Sequence, residues 1–207
     1  MSVPPVPSAK TVGKAVQEYN ARYGPQATSL WKLGQLARQD PGLASAFVWA
    51  IKVIWNVQGV WKEDREPMAV ALSKIAISMP TYRSEEEALA NEHLPCKMWS
   101  QLVLEAKHLG VKNRPFSWAS KALHFMFPEM IPVYDYNVRR FLGRPNAFGD
   151  TVYKEIVRWE YEAGRRLLPD RARIVGAFPP PSMLQALDKY IWWETGGKNS
   201  LASPLSI

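Results

Sequence analysis

The stretch Ala46-Phe47-Val48-Trp49-Ala50-Ile51-Lys52-Val53-Ile54-Trp55-Asn56-Val57-Gln58-Gly59 carries only three polar side chains, Lys52, Asn56 and Gln58. Apolar residues on almost every side of a narrow polar stripe predict a central helix buried nearly all round. Downstream the pattern stays helical. Pro67 stands in a first turn, and Met68, Ala71, Leu72, Ile75 and Met79 follow at helical spacing until Pro80. Ser84 with Glu87 reads as a capping box for a short helix through Ala90. Met98, Leu102, Ala106 and Leu109 form the stripe of a helix ended by Gly110, and Ala119, Ala122, Leu123 and Met126 form one bounded by Pro115 and Pro128. Asp135 is placed to cap a helix from Tyr136 to about Gly143. Val152, Ile156, Trp159, Ala163 and Leu167 mark a long helix, and Met183, Leu184, Leu187, Tyr190 and Ile191 mark the last.

No strand alternation and no repeat of 20 to 50 residues interrupts this series. The expected fold is a compact all-α domain of about nine helices over residues 11–195. A proline-rich disordered arm, 1–10, and a flexible tail, 196–207, flank it.

The chain has 207 residues, 47% of them hydrophobic, which suits one domain with its own core. Cys96 is the only cysteine. That excludes an internal disulfide, a four-cysteine zinc site and a cysteine-ligated iron–sulfur cluster, and it points to the reducing cytoplasm. His93, His108 and His124 show no ligand spacing with carboxylates, so no metal and no other cofactor is expected. The run 46–57 is shorter than the roughly 20 residues of a membrane span. Residues 1–9 lack the basic start and apolar run of a signal peptide. A membrane is therefore not an expected partner.

The formal charge is +7, from 26 Lys and Arg against 19 Asp and Glu. Lys107, Lys112, Arg114, Lys121, Arg139, Arg140 and Arg144 fall in one stretch with only Glu129 and Asp135 opposing them, so five of the seven net charges lie there. Such a concentration suits a polyanion. The same stretch contains Ile131-Pro132-Val133-Tyr134-Asp135-Tyr136-Asn137-Val138-Arg139-Arg140-Phe141-Leu142-Gly143-Arg144.

This segment resembles the catalytic motif of the helix–hairpin–helix DNA glycosylases, in particular their adenine-mismatch and endonuclease III branches. Pro132, Val133, Tyr134, Asp135, Asn137, Val138, Arg140, Phe141, Leu142 and Arg144 fill the motif positions in order. The order of elements from Ala46 to Leu168 is more loosely similar. The family's glycine-rich hairpin is replaced by Leu109-Gly110-Val111-Lys112-Asn113-Arg114-Pro115, and cluster cysteines are absent, so the resemblance is to a divergent or minimal member.

The resemblance implies a monomeric, metal-free DNA glycosylase. It would flip a damaged or modified base out of duplex DNA and hydrolyse its N-glycosidic bond, in base-excision repair or in defence against phage DNA carrying modified bases. Asp135 would be the catalytic carboxylate, and Lys121 an amine nucleophile with associated lyase activity. Lys112, Arg114, Arg139, Arg140, Arg144 and Asn137 would bind DNA, Gln58 would wedge into the gap, and Trp55, Trp118, Tyr134 and Tyr136 would line the base pocket.

Asp135 has an independent physical case. Breaking the bond builds positive charge on the sugar, which an ionised carboxylate stabilises, and a helix N-terminus favours that ionised form. The plainer alternatives are that Asp135 is only a cap, that Lys121 is a solvated or phosphate-contacting lysine, and that His124 is a satisfied core histidine. The chain would then be a non-catalytic helical nucleic-acid-binding module.

Overall fold

The computed structural model describes residues 3–55, 62–111, 115–175 and 182–196. Gln58, Lys112 and Arg114 lie outside them, as does the side chain of Trp55. The described residues form α1 (Ala9–Gln39), α2 (Ala44–Trp55), α3 (Arg65–Ser78), α4 (Glu85–Leu89), α5 (His93–His108), α6 (Phe116–Met126), α7 (Tyr136–Phe141), α8 (Asp150–Leu167), α9 (Arg171–Val175) and α10 (Met183–Glu194). No strand occurs among them, and the all-α class stands. None of these helices is long and apolar enough to cross a membrane.

The longest element is one the hydrophobic pattern did not announce. α1 starts inside the expected arm, where the Ser8 hydroxyl accepts from Thr11 N at 3.2 Å. Residues before it are held too, because Trp159 Nε1 donates to Pro4 O at 2.8 Å. The helix then runs 31 residues through Gly24 and Pro25. Proline supplies no N–H, which breaks the backbone ladder there. Tertiary packing compensates: α1 lies against α2, α6, α9 and α10. It comes close to α6 at Gly34, where a Cβ would sit 2.8 Å from Phe125 O. Gln35 Nε2 beside it donates to Met126 O at 2.9 Å and Phe125 O at 3.3 Å, capping two carbonyls at the end of α6.

α2 corrects a second expectation. Among its described side chains only Ala44, Phe47, Val48 and Ile51 are buried, a single face at i, i+3, i+4 and i+7, while Ala46, Val53 and Ile54 are exposed. The capping box of α4 is also modified. Ser84 Oγ accepts from Glu87 N, but the Glu87 carboxylate reaches back one residue further, to Arg83 N at 2.8 Å.

Between α6 and α7 the chain makes a turn at 128–130 and continues without regular structure to Asp135, buried from Phe127 to Tyr134 apart from Glu129. Buried carbonyls need donors, and no neighbouring strand provides them. Side chains do so instead. Ser182 Oγ donates to Pro128 O at 2.8 Å, Tyr161 to Met130 O at 2.6 Å, and Tyr153 to Pro132 O at 3.2 Å. α8 and α10 thereby fix the path of the segment that delivers Asp135.

Candidate active site

Ser120, buried in α6, makes the last attachment of that segment. Its hydroxyl accepts from Tyr134 N at 2.8 Å and stands 3.2 Å from Tyr134 O and 3.0 Å from Ser117 O, either of which it can donate to. Locking residue 134 to residue 120 sets the next residue of each, Asp135 and Lys121, side by side. The backbone is still extended at Asp135, and its carboxylate caps α7. Oδ1 accepts from Asn137 N at 2.9 Å and Val138 N at 3.2 Å, and Oδ2 pairs with Lys121 Nζ at 3.1 Å.

The Asp135 and Lys121 side chains are 20% and 16% exposed, so neither is sealed. Burial alone would raise the Asp135 carboxyl; the Lys121 charge and hydrogen bond, with the Val138 and Asn137 amides, outweigh burial and hold it below its ordinary value. It is therefore an ionised carboxylate at neutral pH.

This pair opens into a cavity of about 410 Å³. Lys121, His124 and Phe125 of α6 line one side with Asp135 and Asn137. The facing wall is Tyr19, Tyr23 and Gln26 of α1 with Asp188 and Trp192 of α10. Tyr19, Tyr23 and Trp192 pack mutually with centroids 5.2 to 5.4 Å apart, and Trp192 stands edge-on to both tyrosines. A second cavity, about 340 Å³, lies toward the start of α6 between Phe116, Ser117, Tyr134, Arg139 and Phe148. Asp135 lines both.

The polar groups of the larger cavity are tuned differently. Burial, then the charge of Asp135, pushes the Asp188 carboxyl up to about 7 against the pull of Lys121 and Lys189. Burial likewise pushes the Lys189 amine down to about 8; its Nζ lies 5.5 Å from the Tyr19 ring centre. Behind them Glu160 is wholly buried with neither carboxyl oxygen hydrogen-bonded, and burial, then Asp188 and Asp135, drives its pKa well upward. Burial lowers His124 to about 4, against its bond to Ile131 O; the neutral ring donates from Nδ1 to that carbonyl at 2.6 Å.

The residues singled out in the sequence separate into groups. Asp135, Lys121 and Asn137 converge on the larger cavity, and Tyr134, Asp135 and Arg139 on the smaller. Trp118 is wholly buried, its Nε1 without a partner, and lines neither cavity. Tyr136 is 54% exposed on the surface of α7.

The cations are less available than their number suggests. Arg139 is buried and donates to Asp135 O, Pro145 O and Ala147 O. Arg144 pairs with Glu155 at 2.9 Å, whereas Arg140 is exposed. Among the described residues, no cluster of three or more His, Cys, Asp or Glu could hold a metal ion.

Asp188, Tyr19, Tyr23 and Trp192 went unread in the sequence. Their available signal was i, i+4 spacing: Tyr19 with Tyr23 on α1, and Asp188 with Trp192 on α10. Comparison with protein-family models, with curated proteins and with solved structures finds no match.

Proposed function

We propose that the chain is a DNA N-glycosylase that takes a nucleotide turned out of DNA into the larger cavity and cleaves its glycosidic bond beside Asp135. The observation supporting this best is that an ionised carboxylate, buttressed by two amides and a lysine, opens into an aromatic-walled cavity instead of being sealed beneath its helix. Carboxylate chemistry at a sugar needs such an arrangement. The planar base would lie among Tyr19, Tyr23 and Trp192, with its sugar toward Asp135.

As the C1′–N bond breaks, its electron pair leaves with the base, and Asp135 stabilises the cationic sugar. Water adds to C1′, and Asp135 or solvent accepts its proton. Asp188, on the opposite wall and neutral below about pH 7, gives its proton to the departing base and regains one from solvent. Lys121 can replace water as nucleophile only after its ammonium loses a proton. Repair of damaged bases and defence against phage DNA with modified bases are both roles such an activity would serve.

The test is base release from DNA pools carrying many modified bases, scored as alkali-labile abasic sites. Wild type should release base, and Asp135→Asn should be slower by about 10² to 10³-fold, the usual loss for a preorganised electrostatic group. Release by neither protein would leave the second reading, a nucleic-acid-binding module in which Asp135 serves α7 only as a cap. Its two capping bonds support that reading. Borohydride trapping assigns the nucleophile, since an adduct with DNA should form in wild type and vanish in Lys121→Ala if the amine attacks.

A further inference from the structure

We propose that the smaller cavity is a second nucleobase subsite, where Phe148 in its lining, with Tyr136 outside it on the other contact of Arg139, stacks an unpaired base adjoining the nucleotide held at Asp135. The proposal rests on the glycosylase reading for the identity of the strand, and on separate observations for the site.

Phe148 is 65% exposed and Tyr136 54% exposed, although both belong to a tightly constrained region. The loop bearing Phe148 is tied at three points: Arg139 Nη1 donates to Pro145 O at 2.7 Å and Ala147 O at 3.4 Å, and Gly149 N donates to the Tyr134 hydroxyl at 3.1 Å. Those bonds keep Phe148 at the mouth of the cavity when it could otherwise fold onto the protein. Arg139 also packs against both rings, 3.9 Å from the Phe148 centroid and 5.7 Å from that of Tyr136, and Arg140 lies 5.8 Å from Tyr136. Rings alternating with guanidinium groups form a surface on which bases of any sequence stack and phosphates are attracted.

The occupant follows from charge and continuity. The exposed Arg140 favours a polyanion over an apolar helix, and the planar rings favour a base over a bare phosphate. Asp135 is a wall of both cavities, so a strand with its reacting sugar at that carboxylate passes directly from one to the other. A base in the smaller cavity must be unpaired. The preferred substrate is consequently DNA that is single-stranded or locally opened beside the target, in contrast to an intact duplex.

Equilibrium binding tests this without requiring turnover. The probes are oligonucleotides with a synthetic tetrahydrofuran abasic nucleotide, its neighbours unpaired in one and fully paired in the other. Wild type should bind the unpaired probe more tightly. Tyr136→Ala and Phe148→Ala should each weaken that binding by about 5- to 150-fold, the worth of one stacked base, with a smaller effect on the paired probe. Tyr136→Phe and Phe148→Tyr should restore it, and melting curves should be unchanged because both rings are exposed. Arg140→Ala should weaken both probes alike and reduce the salt dependence.

Wild-type affinity in both alanine variants, equal losses on the two probes, or no DNA binding by wild type would overturn the subsite. Stacking losses without base release from any pool would instead sink the glycosylase chemistry and leave the subsite standing. Base release by an enzyme whose alanine variants bind normally would do the reverse.

Discussion

The two walls of the larger cavity treat a carboxyl group in opposite ways. On the α6–α7 wall, Asp135 receives two amide hydrogen bonds and a lysine, and its pKa falls. Across the cavity Asp188 meets that negative charge from a half-buried position, and its pKa rises to about 7. Glu160, deeper still, has no hydrogen bond at either oxygen. Local donors therefore decide the charge state: one carboxyl is fixed as an anion, and its presence helps keep the next two neutral. A pair of carboxyls with separated pKa values is the usual means of obtaining an acid and a base from one residue type.

The sharpest way to break this contrast is Asp188→Asn, which keeps the shape and removes the transferable proton. If Asp188 is the acid, base release should fall by about 10² to 10⁴-fold, the common worth of general acid catalysis. The sign with pH also follows. Asp188 can donate only while protonated, so wild-type rates measured in single turnover should decline above about pH 7, and the residual rate of the variant should lack that decline. A variant with the wild-type rate and the same descending limb would remove Asp188 from the chemistry.

Glu160→Met should act on stability. A buried polar group without a partner costs about 1 to 3 kcal/mol, and the methionine is apolar and of similar size, so the variant should melt higher. The folded protein keeps the Glu160 proton well above the pH at which the unfolded chain loses it. Unfolding thus becomes easier as pH rises past about 4.5. The gain in the variant should be larger at pH 8 than at pH 5; a uniform gain would mean that Glu160 titrates normally.

How far the site could be read from the sequence divides along the same walls. Asp135 was legible because capping is local: the aspartate stands directly before a short helix whose apolar residues recur, and the prolines at 115 and 128 bracket α6. α1 was not. Its buried face mixes Val12, Val16, Tyr19 and Leu30 with small residues and Asn20, and Pro25 interrupts it, so its periodicity is weak and its stability comes from packing. Asp188 drew no reading because nothing local marks it on an otherwise apolar helix, and its setting beside Asp135 arises only when α1, α6 and α10 meet around one cavity. α2 failed conversely. Its composition reported apolar character correctly, but exposure depends on what stands opposite, and nothing among the described residues covers Val53.

A last contrast separates the walls by the direction of their titration. His124 belongs to the α6 wall, and burial depresses it to about 4 while the unfolded chain has the ordinary histidine value near 6.5. Between those values the unfolded state binds a proton that the folded state refuses. The stability His124 contributes is complete above about pH 6.5 and is lost as pH falls toward 4, at no more than about 1.4 kcal/mol per pH unit. Glu160 and Asp188 have raised pKa values, so they work against folding in the opposite sense, as pH rises. Denaturant melts from pH 4 to 8 should show His124→Gln with a shallower acid limb and an unchanged alkaline one, and Glu160→Met with the converse. If His124→Gln flattened the alkaline limb instead, the two walls would not titrate independently, and the separation of charge states across the cavity would fail with it.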